Sequence, residues 1–266
     1  MTVGEFLGEV YRRNRVLAVV GWLHLAALAV LAVVAPFDGR TILGINPWIK
    51  PMKFLVSITV YVWTLAWFLS YLRGYRRAVA VVSWGVALVF VGEMACVIMQ
   101  SARGVPSHFN VSTPFDAAVF STMGLLIFVN TLLVLLVLLL FSRPSCELSA
   151  AYLWGIRLGL LLFLLGSAEG VVIVMNRAHT VGLPDGGAGL PFVNWSTRAG
   201  DLRVAHFLGF HALQLLPLAG HFLDAWHRAA PRARRVAYVF AFALAYTLLT
   251  ALLFWQAMSG RPLLNL

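Results

Sequence analysis

VNWSTRAGDLRVAHFLGFHALQLLPLAGHFLDAWHR, running from Val193 to Arg228, begins as a polar loop, becomes an apolar helix at about Leu202 and ends in a basic turn. It carries four of the chain's seven histidines, His206, His211, His221 and His227. The first three fall inside a segment long enough to cross a bilayer, which needs about 20 apolar residues. Ionisable groups at such depth are costly and usually serve a function. The stretch therefore predicts a membrane-spanning helix and marks where a site lies.

The rest of the chain agrees. Of 266 residues, 61% are hydrophobic and 11% charged, and the mean hydropathy is +0.87. Such a composition excludes a soluble globular domain, and long apolar runs between short polar loops identify a polytopic helical membrane protein. Backbone groups in hydrocarbon need internal partners, so the runs are expected to be helices; alternation suited to a membrane barrel is absent. The net charge of +10 does not point to nucleic acid. The arginines stand at helix ends, where lipid headgroups and topology account for them. Cys96 falls in a helix and Cys146 in a loop on the opposite side, so no disulfide framework is expected. The N-terminus has a signal-like pattern, Arg12, Arg13 and Arg15 before an apolar run. That run is about 20 residues, longer than a usual signal core, and reads as a retained first span.

Seven spans follow, at roughly 16–36, 52–72, 78–100, 115–141, 158–176, 202–226 and 236–258, forming a single all-α integral membrane domain over residues 1–266. Basic residues collect at the N-terminus and in the even-numbered connections: Arg73, Arg76 and Arg77, then Arg143, then Arg228, Arg232, Arg234 and Arg235. They predict a cytoplasmic N-terminus and an outer C-terminus. Arg40, Lys50, Lys53, Arg103, Arg177, Arg198 and Arg203 belong to the outer side on this topology. They read either as snorkelling residues near helix ends or as holders of an anion such as a carboxylate, a phosphate or haem propionates.

The outer loops echo one another. Glu93 begins EMACVIMQSAR, followed after a loop by FNVSTPFDAAVF, and Glu169 begins EGVVIVMNRAH, followed after a longer loop by VNWSTRAGDLRVAHF. INPWIKPMKF, from Ile45 to Phe54, is a weaker echo in the first hairpin. Duplicated two-helix hairpins explain the pattern. Thr113, Pro114 and Asp116 form a variant capping box for the fourth span, and Asp201 is the matching cap candidate for the sixth. Asn-x-Ser reads as a loop organiser.

GINPWIKPMKF, ARGVPSHFNVSTPFDAAVF and NWSTRAGDLRVAHFLGFHALQLLPLAGH resemble signature blocks of an uncharacterised family of polytopic membrane proteins of bacteria. The resemblance covers most of the chain. It implies a multi-pass protein of the bacterial inner membrane and brings no activity with it.

Function must come from the buried polar residues. From the outer helix ends, Glu93, Glu169 and His206 lie roughly 8–10 Å deep and His211 roughly 15 Å. His24 lies near mid-membrane, and His221 approaches the inner face. Five ionisable groups from four helices predict an outward-open pocket, with Asn130, Gln100 and Gln214 as further wall candidates. The lone His24 also suits a helix–helix hydrogen bond. His227 reads as interfacial, and His108 and His179 as solvated.

Three readings compete. A redox protein would hold haem b on histidines drawn from His24, His206, His211 and His221; His206 and His221, 15 positions apart, are only about 60° apart around a helix. A transition metal would use His206, His211, Glu93 and Glu169. With Glu93 or Glu169 as the catalytic base, that metal would support hydrolysis of a lipid-like substrate. Against it, His206 and His211 are about 140° apart around the helix. A proton-coupled small-molecule transporter would use the protonatable glutamates and repeated hairpins. The expected partners are the lipid bilayer and a quinone, lipid or other small molecule at the outer face. The redox reading comes first on sequence, because histidines at several depths suit ligation. A serine triad lacks support, and a retinal pigment lacks a lysine in its seventh span.

Overall fold

The structure, a computed structural model, describes residues 2–143, 147–187, 189–227 and 229–265. Cys146 and Arg228, used in the loop and charge readings above, lie outside the described residues. Among the described residues the chain is built of eight α-helices and one short antiparallel strand pair. In chain order these are α1 (Val3–Arg13), α2 (Arg15–Val34), α3 (Ile49–Leu69), α4 (Arg76–Arg103), α5 (Pro114–Phe141), α6 (Ala150–Asn176), α7 (Arg203–Trp226) and α8 (Arg232–Met258). The strands β1 (Thr180–Val181) and β2 (Gly200–Asp201) pair in the loop between α6 and α7. Six helices, α2 to α6 and α8, are long and apolar enough to cross a membrane. The 24-residue α7 is outside that set because His206, His211, Gln214, His221 and Asp224 dilute its apolar surface. The chain divides into two compact units, residues 1–133 and 134–266, with the boundary inside α5.

Two boundaries differ from the sequence expectation. The sequence places nothing before residue 16, yet α1 forms there as an amphipathic helix with a complete capping box between Thr2 and Glu5. Eleven residues with charges on one face are too short and too polar to register as a span. The fifth span is expected from residue 158, but α6 starts at Ala150. The added turns hold Arg157. Its guanidinium lies over Trp154, and its Nε donates to the Phe141 carbonyl at the end of α5. A charge capping a neighbouring helix C-terminus is compatible with a helical segment.

In the first unit, Phe6 of α1 stacks on Trp67 of α3 and meets Trp63 edge-on. Arg13 places its guanidinium 3.9 Å from the Trp67 ring centroid and donates to Ser70 Oγ. Asn14 ends α1 and caps α2 by accepting from Leu17 N, while its amide donates to Ser83 Oγ on α4. One side chain thus ties three helices together. Tyr61 of α3 is buried and donates to Asn130 Oδ1 of α5 at 2.8 Å.

In the second unit, α6 and α7 meet along a seam of small residues. Ala151, Gly155, Gly159 and Gly166 on α6 face Gly209, Ala212, Leu216, Pro217 and Gly220 on α7. A Cβ at Gly155 would lie 2.5 Å from the Leu216 carbonyl oxygen, and one at Gly220 would lie 2.4 Å from that of Ala151. Lipid gives apolar helices no hydrophobic reason to associate, so close backbone packing of this kind supplies the attraction. Ala212 and Leu216 also pack with Ala243 and Tyr246 of α8. The Tyr246 hydroxyl donates to the Leu208 carbonyl at 2.7 Å.

Candidate functional site

The buried face of α4 follows Val82, Val86, Val89, Phe90, Glu93, Met94, Val97, Gln100 and Ser101, the three-and-four spacing of a helix stripe. Glu93 lies on that stripe, so the helix carries it inward, where it is 1% exposed. Its Oε2 is shielded and has no hydrogen-bond partner among the described residues. Lys50, at the start of α3, acts on it electrostatically, as Glu93 does on Cys96 one turn further along α4. His24 of α2 is buried in the same unit. Its Nδ1 meets the Val20 carbonyl at 2.7 Å, and the ring also interacts with the Phe90 backbone, one helical turn before Glu93.

In the second unit Glu169 and His206 flank the approach of Gly166 on α6 to Gly209 on α7. His206 Nδ1 lies 2.8 Å from the Gly166 carbonyl. A carbonyl can only accept, so Nδ1 carries the proton and Nε2 keeps its lone pair in the neutral ring. The ring covers Gly170, where a Cβ would be 3.1 Å from His206 Cε1. Glu169 Oε2 lies 3.7 Å from where a Gly209 Cβ would stand, and it too is shielded without a hydrogen-bond partner among the described residues. Phe210 stacks on Phe163 and closes over His206, with centroids 4.1 Å apart.

The remaining histidines take separate places. His211 is half-buried, stacked on Phe207 at 3.9 Å, with Nδ1 on the Phe207 carbonyl of its own helix. His221 is exposed and meets Tyr152 edge-on. The five-residue spacing accordingly sends His206 towards α6 and His211 back onto its own helix. Among the described residues no three His, Cys, Asp or Glu side chains are gathered to hold a metal ion. Of the wall candidates, Asn130 receives the Tyr61 hydroxyl, Gln100 belongs to a loop network, and Gln214 is half-buried on α7.

The loops joining these helices are held by carboxylates that the sequence reading largely passed over. Asp38 and Asp201 each accept the backbone N–H and Nε of the arginine two residues on through Oδ1, and its Nη2 through Oδ2. The second oxygen also receives Trp48 Nε1 at Asp38 and Ser196 N at Asp201. The same Asp-x-Arg fork therefore stands before α3 in one unit and before α7 in the other. Hydrogen bonds from Arg40 hold the Asp38 carboxyl well below the ordinary carboxylate range. Burial works against ionisation of Asp185, but hydrogen bonds from His179 and Thr180 outweigh it and hold its carboxyl low as well. Asp201 stands one residue before the helix cap, which is Leu202, yet it satisfies the Arg203 N–H. Arg40, Arg103 and Arg203 thus pair with carboxylates of their own chain. This bears on the reading that outer arginines hold an anion.

Asp116 joins the ends of α4 and α5. It receives Gln100 Nε2 at 3.0 Å, Arg103 Nη1 at 2.5 Å and the hydroxyl of Thr113, while Thr113 caps the Asp116 N–H. Asp116 is 2% exposed and Gln100 0%. Asp116→Ala is expected to destabilise the protein by about 1–3 kcal/mol, the cost of leaving a buried donor unsatisfied. Asp116→Asn should cost less, because an amide oxygen still accepts. Thermal unfolding in mild detergent measures both.

No protein family, curated protein or solved structure matches this chain.

Proposed function

We propose that this chain is a seven-span protein of the bacterial inner membrane that moves protons on Glu93 and Glu169, coupled to the passage of a small molecule. The observation that carries the reading is the buried, unpartnered Oε2 of a glutamate in each compact unit. A carboxyl in an apolar span has to be protonated, paired or bound to a cation, and exchange between such states is the chemistry of a proton carrier. Lys50 acts electrostatically on Glu93, and Glu169 and His206 both lie at the approach of Gly166 and Gly209.

Purified protein in proteoliposomes should take up protons when a gradient is imposed. A carbodiimide, which captures protonated carboxyls, should label Glu93 and Glu169 and stop the uptake. Labelling confined to loop carboxylates, with uptake unchanged, would overturn the reading. In this proposal α7 also crosses, as the sixth of seven spans, and the N-terminus is cytoplasmic and the C-terminus outer, because Arg73, Arg76, Arg77, Arg232, Arg234 and Arg235 gather at the even-numbered connections. A reporter fused at the C-terminus should behave as periplasmic and one inserted near Pro231 as cytoplasmic; the reverse pattern would invert the topology.

A second reading, haem b or a transition metal serving redox chemistry, draws on His206. Its Nδ1 bond to the Gly166 carbonyl orients the ring as ligating histidines are oriented, leaving Nε2 for the metal. Glu169 would be the second donor. A reduced-minus-oxidised haem band, or stoichiometric metal, lost in His206→Ala would favour this reading over proton transport.

A further inference from the structure

The second unit has an open apolar groove of about 330 Å³ where the end of α7 meets the start of α8. From α7 it takes Phe222, Leu223 and Trp226, and from α8 Tyr238 and Phe242. Trp226 is 76% exposed and stacked on Phe222 with centroids 4.8 Å apart. Tyr238 and Phe242 are four residues apart, hence on one face of α8, and Arg234 stands one turn before them on that same line. The groove therefore runs from aromatic walls up to a cationic mouth.

Arg234 and its neighbour Arg232 are exposed, and neither guanidinium has a carboxylate partner among the described residues. Arg235 is different: it is committed to Asp224 at 2.7 Å. The 27-residue α8 begins after Pro231 with no side chain capping its first N–H groups. Those groups and the helix dipole favour an anion at the same mouth. His227, which also lines the groove, ends α7 there. Tryptophan and tyrosine at such a position suit the headgroup level of a bilayer.

We infer that this groove binds an anionic phospholipid, its phosphate at Arg234 and an acyl chain against Phe222, Tyr238 and Phe242. A free phosphate would use the mouth but leave the aromatic walls without purpose. A zwitterionic lipid would use the walls but not the unpaired guanidinium. Each basic side chain near an anionic headgroup contributes about a five-fold preference, corresponding to roughly 1 kcal/mol.

The test uses the full chain in mixed micelles with brominated phosphatidylglycerol or brominated phosphatidylcholine. Bromine quenches nearby indole fluorescence, and the difference between wild type and Trp226→Phe isolates Trp226. The expected result is half-quenching of Trp226 at a several-fold lower fraction of phosphatidylglycerol than of phosphatidylcholine. Arg234→Gln should reduce that preference about five-fold, whereas Arg232→Gln, two positions away on another face of α8, should leave most of it. Both arginines are exposed, so these variants should fold. Equal quenching by the two lipids, or a preference that survives Arg234→Gln, would overturn the assignment and leave the groove as ordinary lipid-facing surface.

Discussion

Gly155→Leu and Gly220→Leu are each expected to prevent stable folding of the second unit, with most of the protein lost to aggregate on extraction in mild detergent. At Gly155 the obstacle is backbone: the Leu216 carbonyl oxygen at 2.5 Å and Pro217 Cα at 2.9 Å from a built Cβ. At Gly220 it is the Ala151 carbonyl oxygen at 2.4 Å. A flexible side chain can swing aside, whereas these atoms move only with their helix. Overpacking a tight core costs about 1–3 kcal/mol even when side chains absorb it. Separating α6 from α7 would cost more, against a total stability of about 5–15 kcal/mol. It would also open the approach at Gly166 and Gly209 that places Glu169 and His206. Gly124→Ala on α5 is the control. No atom lies within 4 Å of its built Cβ, and alanine in a helix gains about 0.5–1 kcal/mol over glycine. Fluorescence-detected size exclusion of the three variants after heating checks the ordering. Gly155→Leu melting with the wild type would show that the seam does not hold the unit together.

The seam explains what a sequence can and cannot convey here. Apolar length is a property of one segment, so the runs that form α2 to α6 and α8 are legible directly. Glu93 and Glu169 stand out for a similar reason, since a carboxyl inside such a run is conspicuous wherever its helix packs. What surrounds them depends on rotation by about 100° per residue and on partners far along the chain. Lys50 precedes Glu93 by forty-three positions (93 minus 50) and looks like an ordinary interfacial lysine until α3 and α4 are placed. His206 and His211 look equivalent as histidines in one span, but only His206 reaches the α6 backbone. Gly155 and Gly159 do show a small-residue spacing of four. Their meaning needs the facing helix, because glycine spaced this way also occurs where nothing approaches.

The loops show the opposite case, in which local spacing carried more than it was asked for. Asp38-Gly39-Arg40 and Asp201-Leu202-Arg203 share the Asp-x-Arg spacing, and both close the same fork. Asn46 and Asn110 each accept from the backbone N–H two residues on. Asn194, the counterpart of Asn110, differs: the Ser196 N–H goes to Asp201 instead, so these short-range bonds carry only part of the resemblance among the hairpin loops. They account for repeated residues without assigning those residues to chemistry. The glutamates have no comparable structural purpose, which sets them apart as candidates for function.

Glu93→Gln is expected to raise the thermal stability of the protein while abolishing proton uptake. Glutamine has nearly the same shape as glutamic acid but carries no ionised form, so it removes the cost of holding a charge at a site that is 1% exposed. The gain should be modest, because the glutamine amide still bears the cost of burial without a hydrogen bond and only the charge is removed. If Glu93 instead served chiefly as the structural partner of Lys50, its neutralisation would strand that lysine and lower stability. The sign of the change therefore separates a functional carboxyl from a structural ion pair. Glu169→Gln should behave in the same way, with a smaller gain because Glu169 is half-buried. Melting temperature and proteoliposome uptake need to be measured on the same preparations. A destabilised Glu93→Gln protein that still takes up protons would remove Glu93 from the transport proposal and assign it to the packing of α3 against α4.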